Sequence, residues 1–197
     1  IDLDLGKPAL HKLLDVTVEH GIEEALKGQI PIEETVTTHG RMKIDCVYTK
    51  HGIPNRLELL ENPILKTWIQ ECREKYDYIL IDAPPTLGGW VMNIMCASDF
   101  VLIPVEASPW GLFGLANMFE FCEQAKRIAP KLEILGIAVT KADERKKYFK
   151  QTMETLKEME NARLFESYVH VDSAVEWSQD NSKPVVVYKK ASRSAVE

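Results

Sequence analysis

Read for its apolar and polar positions, the chain sets short runs that are apolar throughout against longer stretches of helical period. Tyr78–Ile81, Phe100–Pro104 and Ile134–Thr140 are the short runs, each apolar on both faces, as a strand lying between two helical layers requires. Between the last two, Leu112–Ala129 repeats with helical period, and Leu115, Met118, Phe119, Phe121, Cys122 and Ala125 form an apolar side that reads as core. Pro63 opens a helix with Ile64, Leu65, Trp68, Ile69 and Cys72 on one face. A further helix runs from about Lys147 to Met159 through Phe149, Met153 and Leu156. Leu164–Val169 reads as the last core strand and Ser173–Gln179 as a short helix.

The N-terminal part is more broken. Ile1–Leu5 reads as the end of a strand running into a loop, and Pro8 stands near the start of a short helix carrying Leu10, Leu13 and Leu14. Gly21–Lys27 and Ile32–Val36 read as short helices interrupted at Gly28-Gln29 and at Pro31. Met42–Tyr48 alternates as a strand does, and His51–Asn62 reads as a loop or broken helix. Strands alternating with helices specify an α/β fold, a mostly parallel sheet with helices on both faces.

Composition narrows the class. A length of 197 residues suits one domain over residues 1–197, and 45% apolar with 27% charged residues is ordinary for a soluble globular protein. Lys and Arg number 24 against 30 Asp and Glu, a formal charge of -6. That balance argues against coating nucleic acid with the whole surface, yet leaves room for a local basic patch. No apolar run approaches the roughly 20 residues that span a bilayer, and a cytoplasmic protein is expected. Cys46, Cys72, Cys96 and Cys122 are scattered without a CxxC pair and read as buried free thiols in a reducing compartment. His11, His20, His39, His51 and His170 never take ligand spacing near a cysteine. The chain opens at Ile1 inside a strand tail and closes at Glu197 as a helical pattern begins, so truncation at both ends is expected.

Candidate chemistry gathers at strand ends. Asp82 closes the run Ile79-Leu80-Ile81, where ligands collect in open α/β sheets, and its hard carboxylate suits Mg²⁺ held through a coordinated water. Pro84 and Pro85 stiffen the exit, and Gly88-Gly89 lets backbone approach a phosphate or a partner. A strand stopped at an Asp-Ala-Pro turn for structural reasons is the plain alternative. Asp2 and Asp4, two apart on a strand, share one face: one could order a water while the other binds metal or buttresses the loop. A solvated strand end is the alternative there. In Thr140-Lys141-Ala142-Asp143 the lysine stem could lie along a base while the aspartate accepts from a purine, although an ordinary strand-to-helix turn has the same residues. Arg145, Lys146, Lys147 and Lys150, and separately Lys189, Lys190 and Arg193, could meet DNA phosphates or simply face solvent. No GxxxxGK[ST] run occurs among the 197 residues. Without a backbone nest and a phosphate-reaching lysine, triphosphate is not gripped tightly.

The pattern resembles the deviant Walker-A ATPases of the ParA/Soj/MinD group. IDLDLGKPALHKLL is similar to the segment after their second core strand, where a DxD opens the first switch. YDYILIDAPPTLG resembles their Walker-B strand and second switch, and FVLIPVEASPWGLFGLANM and LEILGIAVTKAD resemble the next two strands of the ParA branch. LFESYVHVDSAVEWSQDNSKPVVVY resembles the region of that branch ending in a GKPV-like stretch. The resemblance implies a P-loop NTPase-like, three-layer α/β/α fold whose first strand and Walker-A loop lie outside this chain. It implies an ATPase that dimerises on ATP and Mg²⁺ and acts in plasmid or chromosome partition or in positioning of cargo. Non-specific DNA and a ParB-like activating protein are the implied partners, a membrane less so. By position, Asp4 matches the switch-one aspartate that orients the attacking water, Asp82 the Walker-B aspartate of the Mg²⁺ shell, and Thr140 and Lys141 the base-contacting region; Asp2, Pro84 and Gly88 complete the nucleotide-binding set. Where ParA proteins commonly show Pro-Arg beside the adenine, this chain has Tyr168-Val169-His170-Val171. A non-catalytic DNA-binding or adaptor protein that keeps the fold, and a tyrosine autokinase of the same superfamily, are the alternatives.

Overall fold

Hydrogen bonds between short segments organise the N-terminal half. A computed structural model describes residues 1–40, 43–53 and 63–196, which fall into two units, residues 1–94 and 95–197. In the first unit Ile1–Leu3 lies parallel to Leu80–Asp82. The Ile1 nitrogen donates to the Leu80 carbonyl (2.7 Å), Asp82 N–H to Ile1 (2.9 Å) and Leu3 N–H to Asp82 (2.9 Å). On the other side Asp2 N–H donates to the Val47 carbonyl at 2.8 Å. Val47 ends a hairpin in which β1 (Val36–His39) pairs antiparallel with β2 (Ile44–Val47). The expected helix at Ile32–Val36 is a single 3₁₀ turn, Ile32–Thr35, that passes into β1, where the β-branched Val36, Thr37 and Thr38 favour extended backbone. Met42, where the expected strand begins, and residues 54–62 of the expected loop lie outside the described residues.

Helices α1 (Leu10–Leu13), α2 (Ile22–Leu26) and α3 (Pro63–Lys75) stand where the pattern puts them. Helix α4 (Gly89–Ala97) was not anticipated: with Asn93 its one polar side chain, it has no period to read. The core of this unit joins Leu3, Leu5, Ile22, Leu26, Trp68, Cys72, Trp90 and Ile94. Ile79 and Ile81 pack against it, but Tyr78 and Leu80, pointing the other way, are 87% and 79% exposed. The run Tyr78–Ile81 is therefore not apolar on two covered faces; its pairing is a single bridge at Asp82, and one face finds no cover among the described residues.

The second unit is the more regular. Strands β3 (Phe100–Glu106) and β4 (Glu133–Thr140) pair in parallel from Phe100 opposite Glu133 to Glu106 opposite Thr140, with a register shift at Val101/Leu102. The crossover is α5 (Pro109–Ile128), which starts at Pro109 rather than Leu112 because the Ser108 hydroxyl accepts the Gly111 N–H (3.2 Å) and Pro109 occupies the first turn. Gly111 is required there, since an added Cβ would sit 2.0 Å from the Glu106 carbonyl oxygen. Helix α6 (Lys147–Lys157) follows β4, and Ile103, Val105, Leu115, Ile137, Val139, Phe149 and Leu156 form the core between them. Met118 and Phe119 pack on this core, while Phe121 is half-buried. Leu164–Val169 runs beside β4 with isolated parallel bridges at Leu164 and His170 instead of a full ladder. Three short helices close the unit, α7 (Ser173–Asp180), α8 (Val185–Tyr188) and α9 (Arg193–Val196).

Among the described residues the regular strands make one antiparallel and one parallel pair, and the three isolated bridges are all parallel. The four cysteines are free; Cys72 and Cys122 are buried, Cys46 and Cys96 half-buried. Among the described residues no helix is long and apolar enough to cross a membrane.

Candidate nucleotide and metal site

Pairing of residues 1–3 with 80–82 brings the carboxyl groups of Asp2, Asp4 and Asp82 into electrostatic reach of one another. Their surroundings differ. Asp2 is 1% exposed; its Oδ1 accepts the Asp4 N–H (3.0 Å), whereas its Oδ2 is buried with no hydrogen-bond partner among the described residues. Burial pushes the Asp2 carboxyl up to about 6, the negative charges of Asp82 and Asp4 push the same way, and the amide bond from Asp4 opposes them. Asp4 is half-buried and its Oδ1 accepts the N–H groups of Gly6 and Lys7, each at 3.1 Å, so it caps the loop that follows. Its second oxygen is what remains for a water. Asp82 is exposed at the pairing's end, and its carboxyl is also raised, by desolvation and by Asp4.

The loop after Asp82 keeps Pro84 buried and leaves Gly88 exposed, with open space where a Cβ would stand. That space admits a ligand, but among the described residues no close approach demands glycine at this position. Among the described residues no three His, Cys, Asp or Glu side chains gather tightly enough to hold a metal ion alone. The carboxyls nevertheless fit Mg²⁺, which takes one or two protein carboxylates and completes its octahedron with waters and phosphate oxygens. A nearby cation would relieve both the unpartnered Asp2 oxygen and the mutual repulsion of the three carboxyls.

In the second unit Thr140 ends β4, half-buried, its hydroxyl 3.4 Å from the Val105 carbonyl. Lys141 turns the chain in the left-handed region at φ 52°, with its ammonium exposed and 3.5 Å from Glu106. A non-glycine residue held there is a mark of a constrained, frequently functional turn. Asp143 does not wait for a base: Arg145 holds it by bonds of 2.8 and 3.0 Å and lowers its carboxyl to about 2. A purine contact by Asp143 would share its carboxylate with that fork. His170 is buried, with the Glu144 carboxylate 3.7 Å away and the Arg193 guanidinium against its Nε2.

Three residues missed in the sequence hold the acidic end together. Thr49 donates its hydroxyl to the Asp2 carbonyl at 2.9 Å, and the Trp90 indole N–H donates to the Leu3 carbonyl at 2.9 Å. Glu23, buried on α2, accepts the N–H groups of Lys50 (3.1 Å) and His51 (2.6 Å), fixing the backbone beside Thr49. No motif carried them, and nothing in residue type distinguishes the buried Glu23 from its neighbour Glu24.

The family described as an AAA domain, AAA_31, matches residues 9–134. This chain belongs to that family. Within it the chain is a member of the ParA/Soj/MinD group of P-loop ATPases, as the switch-like and Walker-B-like segments led one to expect. It is 30% identical over 132 residues to the sporulation initiation inhibitor protein Soj of Bacillus subtilis, an alignment covering 66% of this chain and 52% of Soj. The chain thus spans about half the length of that curated relative. Its fold is that of septum site-determining MinD from Pyrococcus horikoshii, solved with Mg-ADP (TM-score 0.77, 19% identity, 99% of this chain and 77% of that one). Apo McdA from Cyanthece is similar as well (TM-score 0.79, 20% identity, 96% and 81%). The P-loop NTPase-like α/β/α fold is therefore shown.

Proposed function

We propose that the protein is an ATP-dependent, dimerising ATPase that partitions DNA or positions cargo, and that this chain supplies the metal and water side of its site. The observation that carries the reading is the acidic end itself. An exposed carboxylate, Asp82, closes a parallel pairing beside a buried one, Asp2, whose Oδ2 has no partner among the described residues. Mg²⁺, when bound, would neutralise charge developing on the transferred phosphoryl oxygens. Asp82 would hold its hydration shell, and Asp4, with Oδ1 spent on the loop, would orient the attacking water through Oδ2. Asp2 would buttress Asp4 through its amide, Pro84 would fix the direction of the loop, and Gly88 would give the phosphates room. Thr140 and Lys141 would lie at the base. In the whole protein these elements would belong to a mostly parallel sheet.

The partners follow from the same reading: a second copy of the protein, a ParB-like activator, and DNA phosphates met by the exposed Arg145, Lys146, Lys147 and Lys150. The test is ATP and Mg²⁺ binding and turnover by the protein expressed from its complete gene, with its mass measured in solution. Mg²⁺-dependent hydrolysis with an ATP-induced doubling of mass is the expected result. Failure to bind ATP would remove the proposal.

A further inference from the structure

The indole N–H of Trp90 meets the backbone at one particular peptide, that of Leu3. Trp90 is 8% exposed and belongs to the same apolar cluster as Leu3, Leu5 and Trp68. A buried indole N–H needs an acceptor, and many backbone carbonyls would serve. The one it uses is that of Leu3, the residue between Asp2 and Asp4. Leu3 is thereby held from two directions, its N–H on the Asp82 carbonyl at 2.9 Å and its own carbonyl under Trp90 at 2.9 Å. Along an extended backbone Leu3 and Leu5 point into the core, which leaves Asp2 and Asp4 on the other side. Whatever fixes the Leu3 peptide therefore fixes where the two carboxylates stand. Trp90 itself is the second residue of α4, which begins where the loop from Ala83 to Gly88 ends.

We infer that Trp90 is a positioning residue, a tie that makes the Asp2–Asp4 segment and the loop after Asp82 move as one piece. The inference rests on the proposed reading of the acidic end as a Mg²⁺-nucleotide site. Through this tie, rearrangement of the loop at Ala83–Gly88 would be felt at Asp4 without any contact between the two carboxylates. Thr49, bonded to the Asp2 carbonyl, steadies the preceding peptide in the same way but comes from a segment with no path to that loop along α4.

The experiment removes the N–H and little else. In the protein from its complete gene, Trp90→Phe is compared with a protein carrying the benzothiophene analogue of tryptophan at position 90, which keeps the shape of the ring and lacks the donor. Trp68→Phe serves as the control for a lost indole in the same cluster. ATP turnover and amide hydrogen exchange at Leu3, Asp4 and Asp82 are read for each. A positioning role gives a kcat reduced about tenfold, the scale of one buried hydrogen bond, with KM for ATP within about twofold. It also gives faster exchange at Leu3 and Asp82 in both position-90 proteins and not in Trp68→Phe. Unchanged kcat, or equal losses in the Trp68 control, would overturn the inference and leave Trp90 as packing. Should the unmodified protein lack ATP turnover, the proposed function falls, and the exchange measurement alone decides whether the tie exists.

Discussion

The acidic end of residues 1–94 and the β4 end of residues 95–197 are both strand termini with candidate ligand groups, yet they are built by opposite means. Thr140 and Lys141 close an eight-residue strand whose neighbour β3 pairs with it in parallel from end to end, with α5 and α6 contributing to one core. Asp2, Asp4 and Asp82 sit on backbone paired at an isolated bridge and held by separate bonds to the Val47 carbonyl and from the Thr49 hydroxyl and the Trp90 indole. A continuous ladder spreads the cost of any one change, whereas a set of single ties concentrates it. The first unit should therefore fail in its chemistry when one side chain is altered, and the second in its stability.

The sharpest contrast comes from Asp4→Ala and Asp82→Ala. Turnover should fall about 10²–10³-fold in each, the scale seen when one preorganised group is lost from a reacting centre. Asp4→Ala should still bind ATP, with the loss of its two amide bonds costing about 1 kcal/mol of folding stability. Wild-type turnover in Asp4→Ala would end its assignment. Next in size, Leu115→Ala, with its side chain fully buried in the second core, should destabilise by about 2–5 kcal/mol in urea titration. A loss below about 1 kcal/mol would show that the ladder unit is not the rigid one.

Asp2 offers a test of the first unit that needs no ligand. Its folded carboxyl titrates at about 6, above the ordinary 3.8, so folding favours the protonated form. The resulting stability is complete below about pH 4, declines as pH rises through 6 and is gone above it, a change of about 3 kcal/mol. Measured with chelator present, Asp2→Asn should abolish most of that slope; an unaltered slope would place its origin elsewhere. Mg²⁺ at pH 8 should recover part of the loss in the wild type. Smallest of all, Lys141→Gly relieves a left-handed backbone and gives up an exposed ion pair, and its denaturation midpoint should shift by less than the equivalent of about 1 kcal/mol. A larger loss would mean that Lys141 has a structural task beyond its turn.

Much of the second unit could be read in advance because its signals are local. Runs such as Ile134–Thr140 and the period of Leu112–Ala129 are set by which neighbours a residue has in sequence. Helix α4 escaped because a segment apolar all round has no face to read, and β1 because its strand is decided by the hairpin partner at Ile44–Val47. The expectation of two covered faces at Tyr78–Ile81 is not met among the described residues, for a similar reason. Alternation says which side chains go together, not which side meets a helix. At the site, Asp2, Asp4 and Asp82 were legible as hard carboxylates at strand ends, and the likeness to ParA/Soj/MinD proteins named their segments. Asp143 was legible as a carboxylate at a strand end, but not its partner, because only the folded turn puts the Arg145 guanidinium on it.

The sequence by itself determined the α/β class, the family and the presence of carboxylates at strand ends, since each of these is written in residue type and short-range spacing. Only the tertiary structure decided how the carboxylates differ. Both Asp2 and Asp82 are desolvated and resist ionisation, but Asp2 is closed off from solvent while Asp82 is exposed, and an indole 87 positions away along the chain reaches the peptide between Asp2 and Asp4. Desolvation and long-range hydrogen bonds depend on which segments the fold brings side by side, and that is a property no local pattern contains.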